Sequence, residues 1–269
     1  MISFTSELIN NENLIKDRMN TNALKIGFII SIYSEIENVL KNIHVIKREG
    51  CHVIVIQSDP KDNSKFLDKN KVDFYELLPD VGGSQEQYVK ERSLTSGSTI
   101  PARALTRNFS HGFTAARNFD VDWWVAIFGD VSISNLTGIK KIINNMVKKN
   151  KILGITRPIG QILYDENGKL SSYQNSDTTT FTPTFFIVKS AAIKQGLFNN
   201  IKITNPYTTE QCFGDEIKNF CNTNAINFYE SCYFISNEAY PDFIKGLKYN
   251  YPQPKTPRFL RRFKKYLNS

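Results

Sequence analysis

This chain of 269 residues has none of the usual cysteine and histidine patterns of a metal site. Its four cysteines, Cys51, Cys212, Cys221 and Cys232, include no Cys-x-x-Cys pair, and its three histidines, His44, His52 and His111, are scattered. Zinc spacing is therefore excluded, free buried thiols are expected, and any metal would be a hard cation held by carboxylates. Long apolar runs are lacking too. "IGFII", "WWVAIF" and "FFIV" fall far short of the roughly 18 residues that mark a membrane span. The opening "MISFTSELINNENLIKDRMN" carries acidic residues and no apolar stretch of the signal-peptide kind. A cytoplasmic protein is the expectation.

The C-terminus has no acidic residues. From Phe243 to Ser269 there are eight Lys or Arg and no Asp or Glu, which leaves 26 basic against 26 acidic residues in the rest. The whole net charge of +8 thus sits in the tail. In "TPRFLRRFKKYLNS" the residues Phe259, Leu260, Phe263, Tyr266 and Leu267 fall on one helical face, with Arg258, Arg261, Arg262, Lys264 and Lys265 around them. A segment of this kind suits an anionic membrane surface, where each cation adds about 1 kcal/mol. The competing reading is a helix docked on the body with a solvated basic face. Nothing in the tail reads or stacks on bases, so nucleic acid is not an expected partner.

The body is rich in buried-strand patterns. Leu24–Tyr33 is short, apolar and β-branched; Ser34 and Glu37 then form a capping-box pair before the helical pattern Ile36, Val39, Leu40, Ile43, Ile46, closed by Gly50. "CHVIVIQSDP" follows as a second strand, so the order is β-α-β, a unit that closes right-handed into a parallel sheet. Further strands are expected at Val72–Leu78, "DWWVAIFGD", "KILGITRP" and "PTFFIVK", helices at Pro101–Asn118, Asn135–Asn150 and Glu210–Asn222, and a hairpin at the Asn-Gly turn of "YDENGKL". The polar stretch Pro79–Thr99 reads as a mobile connection. The fold class is α/β: a mixed, mostly parallel central sheet flanked by helices, with a more antiparallel second half. The expected organisation is an appended helix over 1–23, a catalytic domain over 24–240 and a basic tail over 241–269.

In open α/β sheets ligands bind beyond the carboxyl ends of the strands. Those ends carry Ser31, Tyr33 and Glu35, then Ser58 and Asp59, then Asp130 with Ser132. A carboxylate at the tip of a buried strand is costly unless something holds it. Asp130 has a plain rival role as cap of the helix expected near Asn135. Trp123 and Trp124 read as core and strand-edge aromatics.

Several motifs, taken in order, resemble the family 2 glycosyltransferases of GT-A fold, the nucleotide-diphospho-sugar transferase architecture. "IISIYSEIENVLKNI" is similar to their first strand and loop, I-P-x-Y-N-E before a leucine-rich helix, and "VIVIQSDP" to the second strand, whose terminal acid reads the base. "LTRNFSHGFTAA" resembles the Arg-Asn stretch before the metal motif, and "WWVAIFGDV" stands where the family carries D-x-D. "TPTFFIVKSAAIKQGLF" resembles the acceptor-side strand with its G-x-F turn, and "TEQCFGDEIKNF" the helix that supplies the catalytic base. The resemblance spans about Lys25 to Asn237. The chain departs from it at Ile32, where the family has Pro, and at Phe128, where it has the first Asp of D-x-D.

The resemblance implies transfer of a sugar from a nucleotide-sugar donor to a glycan or lipid-linked acceptor, by inversion, in surface polysaccharide synthesis at the inner membrane face. Ser31, Tyr33, Glu35, Asp59, Arg107 and Asp130 would bind the donor, with Arg107 near the diphosphate and Arg157 a weaker candidate. Asp130 would meet the ribose or hold Mn²⁺ or Mg²⁺, a site weakened by Phe128. Asp215, with Glu216 second, would be the general base that takes the acceptor proton; the rival reading makes both first-turn acids favouring the helix dipole. Two other classes compete. A sugar nucleotidyltransferase would show a Gly-rich, Lys- or Arg-containing loop after the first strand, and "SIYSEIEN" has neither Gly nor Lys. A degenerate, non-catalytic GT-A-like binding or scaffold protein is favoured by the acid missing at Phe128.

Overall fold

A computed structural model describes residues 24–32, 36–58, 67, 72–78, 99–129, 131–156, 161–164, 170–174, 185–199, 201, 209–235 and 247–249. The expected appended helix, most of the connection Pro79–Thr99, Arg157 and the tail beyond residue 249 lie outside them.

The first unit is the β-α-β expected. β1 (Ile26–Ile32) and β2 (His52–Gln57) pair in parallel, joined by α1 (Ile36–Arg48). All seven residues of β1 are buried, as the uninterrupted apolar run requires of a strand covered on both faces. Gly50 ends the helix at φ +72°, a conformation glycine adopts without strain. β3 (Phe74–Leu77) extends the sheet beside β2, and α2 (Thr99–Ala116) leads to β4 (Trp123–Phe128), which pairs in parallel with β1 on its other edge. A Cβ on Gly112 would stand 2.4 Å from Ile29 Cγ2, so glycine at this point lets α2 lie close against β1.

β5 (Val131–Ile133) and α3 (Thr137–Lys148) follow, then β6 (Leu153–Thr156) and the antiparallel pair β7 (Gln161–Tyr164) and β8 (Leu170–Gln174), the two strands of the expected hairpin. β9 (Phe185–Lys189), the short α4 (Ser190–Lys194), α5 (Thr209–Thr223), α6 (Phe228–Ser231), β10 (Cys232–Ile235) and β11 (Leu247–Tyr249) complete the described elements. Seven strands make the main sheet in the order β10-β6-β9-β4-β1-β2-β3. Within it β9 runs antiparallel to both neighbours, β4 and β6, and the remaining pairs are parallel. This is the mixed, mostly parallel α/β architecture read from the sequence.

Strand alternation divides the core by face. One face packs Phe28, Ile30, Val53, Val55, Val125 and Ile127 under α1 and α3, and the other packs Ile29, Ile54, Trp124, Ala126 and Phe186 under α2 and α5. Trp123 and Trp124 are both fully buried on a central strand rather than at an edge. The four cysteines are free and buried, as expected. Burial pushes the Cys51 thiol up to about 11 and the Cys232 thiol to about 12, so both stay protonated near neutrality.

Candidate functional site

Sheet order reverses direction at β1. From β1 the chain moves outward through β2 to β3, then returns to place β4 on the opposite side of β1. The crevice beyond the ends of β1 and β4 is therefore the switch point at which such sheets take ligands. Ser31 and Phe128 are register partners there, and the Gly129 N–H donates to the Ser31 carbonyl at 2.8 Å.

Asn108 of α2 organises one side of this rim. Its buried amide donates to the Ser31 hydroxyl at 3.1 Å and to the Ser58 hydroxyl at 3.0 Å, joining the ends of β1 and β2. Among the described residues the buried Oδ1 of Asn108 has no hydrogen-bond partner. Arg107, the neighbouring residue, is half-buried and Thr106 fully buried, so the polar side chains of Thr106 to Asn108 are packed into the body.

Asn38 and Asn42 of α1 organise the other side. Asn38 Nδ2 donates to the Gly129 carbonyl at 2.6 Å and the Val131 carbonyl at 2.8 Å, and its Oδ1 accepts from the Ser132 hydroxyl at 2.5 Å. Asn42 Nδ2 donates to the same Val131 carbonyl at 2.6 Å while its Oδ1 accepts the Ile133 N–H at 2.8 Å. The Asn42 amide thus bonds to β5 as a neighbouring strand's backbone would. β11 pairs with β5 as well, in antiparallel register with Tyr249 opposite Val131 and Leu247 opposite Ile133. The chain on either side of Asp130 is held by two side-chain amides and a second strand.

Of the donor-binding candidates, Ser31 is tied to this rim by Asn108, and Arg107 precedes Asn108 on α2. Tyr33, Glu35, Asp59 and Asp130 lie outside the described residues, although each follows a strand end that is described. Asp215 and Glu216 sit on α5, exposed and half-buried respectively. They lie beyond the first turn of a helix that begins at Thr209, which removes the reading of both as first-turn acids, because the dipole effect falls off within that turn. Two ring contacts connect their helix to the rim: Phe213 meets Phe109 edge-on at 5.8 Å, and Phe109 stacks on Phe128 at 5.5 Å. The sequence also offers Asp130 as the cap of α3, and that residue lies outside the described ones. That helix begins after Leu136, with β5 intervening, and its first N–H, on Thr137, is met by Asn135 Oδ1 at 3.1 Å.

The described residues do not form the implied metal site. The Phe128 ring packs on Phe109, and among the described residues no three His, Cys, Asp or Glu side chains converge.

Sequence reading missed Asn38, Asn42 and the Asn108 hub. A signal for one of them was present: Asn42 interrupts the buried stripe Val39, Ile43, Ile46 of α1, and a polar side chain on such a stripe needs a partner.

Fold and rim together define a mixed α/β chain with polar side chains gathered at a topological switch point. No family model matches the sequence, and no curated protein matches it. Among solved structures the chain is similar to a 4-diphosphocytidyl-2C-methyl-D-erythritol synthase from Anaerococcus prevotii, at 12% identity and a TM-score of 0.46, over 91% of this chain and 97% of that one. It is also similar to a protein described as a glucose-1-phosphate thymidylyltransferase from Bacillus anthracis, solved with sucrose, at 14% identity and a TM-score of 0.40, over 80% of this chain and 87% of that one. At these values the likeness says nothing about activity.

Proposed function

We propose that the chain is a GT-A type glycosyltransferase, similar to family 2, that moves a sugar from a nucleotide-diphosphate donor to a glycan or lipid-linked acceptor. The observation that carries this reading is the switch-point rim. The ends of β1, β2 and β4 lie side by side there, tied by Asn108 and by Asn38 with Asn42, and each leads into a segment bearing a donor-binding candidate.

In the proposed mechanism the acceptor hydroxyl oxygen attacks the anomeric carbon as the bond from that carbon to the diphosphate breaks. The Asp215 carboxylate takes the hydroxyl proton, and the Arg107 guanidinium meets the charge gathering on the departing diphosphate. Tyr33, Glu35 and Asp59 contact the nucleoside, and Asp130 contacts the ribose or a cation that arrives with the diphosphate. The cationic segment after residue 249 holds the enzyme at an anionic membrane face, where a lipid-linked acceptor resides. No helix among the described residues is long and apolar enough to cross a membrane.

The stacked Phe128 supports a second reading, a non-catalytic nucleotide-sugar-binding protein of the same fold. Nucleotidyl transfer is less well supported, because the segment "SIYSEIEN" after β1 lacks the Gly and Lys that cradle a triphosphate. A thermal-shift screen against UDP, GDP, CDP and dTDP sugars, each with and without Mn²⁺, is the first test, followed by product analysis. Release of a nucleoside diphosphate supports glycosyl transfer, release of pyrophosphate from a triphosphate supports nucleotidyl transfer, and binding without turnover supports the non-catalytic reading. Asp215→Asn is expected to lose transfer and keep donor binding; full activity in that variant removes the assigned base.

A further inference from the structure

We infer that the outer surface of the α1 and α3 layer is the face this protein turns to an anionic lipid membrane, with the cationic segment after Tyr249 as a second point of attachment. This rests on the membrane reading of that segment and on no step of the transfer chemistry. The outward stripe of α1 is Glu37, Lys41, His44 and Arg48, and that of α3 is Lys141, Asn144 and Lys148, with Lys140 and Lys149 beside it; all are exposed. Both helices cover the same side of the sheet. Of the nearby acids, Glu49 is taken by Lys140 at 2.9 Å and Asp73 by Lys47 at 2.7 Å. Glu37 then stands against Lys41, Arg48, Lys141, Lys148 and Lys149.

Solubility alone is served by charges of both signs, and the opposite layer has them. There Arg117, Lys194 and Lys218 are interleaved with Asp120, Asp215 and Glu216. The cationic segment also joins the body on the α1 and α3 side. Its nearest described strand, β11, pairs with β5, and β5 gives Val131 and Ile133 to the core under those two helices. Two features select lipid over another polyanion. The stripes carry mostly lysines, compact charges rather than the planar forks that pair with nucleic-acid phosphates. Among the described residues of α1 and α3 no large apolar side chain is exposed, so this face adheres by charge alone. The segment after Tyr249 supplies the apolar row Phe259, Leu260, Phe263, Tyr266 and Leu267, which a lipid boundary accepts and a soluble polyanion does not.

Co-sedimentation with vesicles tests the assignment. Vesicles of phosphatidylcholine alone, and of equal parts phosphatidylcholine and phosphatidylserine, are titrated against wild type and three variants. Lys41→Gln/Lys148→Gln thins the face, Lys194→Gln/Lys218→Gln removes the same charge from the opposite layer, and the third chain ends after Tyr249. The face variant is expected to bind phosphatidylserine vesicles on the order of tenfold more weakly, since each cation near the surface contributes at most about fivefold. The opposite-layer variant is expected to stay within about twofold of wild type, because charges beyond a Debye length from the lipid are screened. Amine acetylation of vesicle-bound wild type, read by mass spectrometry, needs no substitution: Lys41, Lys141 and Lys148 are expected to be shielded while Lys194 and Lys218 react as in free protein. Wild type that ignores phosphatidylserine overturns the membrane reading and the face with it. Binding that is lost on ending the chain after Tyr249 but equal in the two double variants, or shielding equal on both layers, overturns the face and leaves the tail reading standing. A face variant that weakens binding to double-stranded DNA and not to vesicles makes the stripe a polyanion site and overturns the lipid assignment.

Discussion

The two faces of the central sheet are built from different materials. Under α1 and α3 the core is mainly aliphatic, a run of Ile and Val from β1, β2 and β4 meeting Val39, Ile43, Ile46, Ile139, Ile142 and Ile143, with Phe28, Trp123 and Phe185 set among them. Under α2 and α5 it is aromatic: Phe186 of β9 lies 5.4–5.7 Å, centroid to centroid, from the rings of Phe109, Phe113, Phe198 and Phe213. Aliphatic side chains interdigitate and can partly re-pack after a change, whereas a cluster of rings in tilted and edge contact has few alternative arrangements. The proposed rim takes one half from each side: Asn108 from the aromatic side, Asn38 and Asn42 from the aliphatic one. Phe109 stacks on Phe128 at the end of β4 and is adjacent in sequence to Asn108.

The largest effect expected from this contrast is on the aromatic face. Phe186→Ala should cost about 3–5 kcal/mol of unfolding free energy, read by urea denaturation, since it removes the ring that four others share. Ile43→Val on the aliphatic face, also fully buried, should cost about 0.5–1.5 kcal/mol. A smaller loss for Phe186→Ala than for Ile43→Val would break the comparison. A fall in nucleotide affinity in a mild ring variant such as Phe109→Leu, absent in Ile43→Val, would sharpen it by showing that the rings support the rim.

The smallest effect expected is electrostatic and lies at the opposite end of the strands. Asp73, ahead of β3, accepts the Val53 N–H at 2.6 Å and the Lys47 ammonium at 2.7 Å, and His52 Nδ1 stands 3.4 Å away. Burial of its carboxyl would raise its pKa, but the Lys47 and Val53 hydrogen bonds and the charges of Lys47 and His52 outweigh that and hold it below the ordinary value. A depressed folded pKa means that Asp73 stabilises the protein above its unfolded pKa of about 3.9, and that this contribution is lost as pH falls through the folded value. Asp73→Asn should therefore lower Tm at pH 7 and narrow its difference from wild type as pH approaches 3. An equal difference at both pH values would remove the carboxylate from the account.

The same contrast decides how much the sequence could tell. The first part of the aliphatic half, β1, α1 and β2, is built by segments adjacent in the chain, and the sequence places these within a few residues of their limits because period and burial agree there. The aromatic half joins rings from Phe109 to Phe213, and no local pattern in either segment announces that they meet. β5 and β11 were missed for a related reason: three residues are too few to show a period, and their partners lie far along the chain. In the site, Ser31 was legible as a strand-end residue. The asparagines were not, because a side-chain amide serving as a strand neighbour looks, in sequence, like any polar residue of an amphipathic helix.

The pairing of β11 with β5 has a practical consequence for anyone who shortens this protein. Composition changes abruptly near residue 241, which invites removal of the cationic end at that point to improve solubility. Such a cut would delete Leu247–Tyr249 and leave Val131–Ile133 as a bare strand edge open to a strand from a neighbouring molecule. Ending the chain after Tyr249 instead removes six of the eight excess cations and keeps that edge covered.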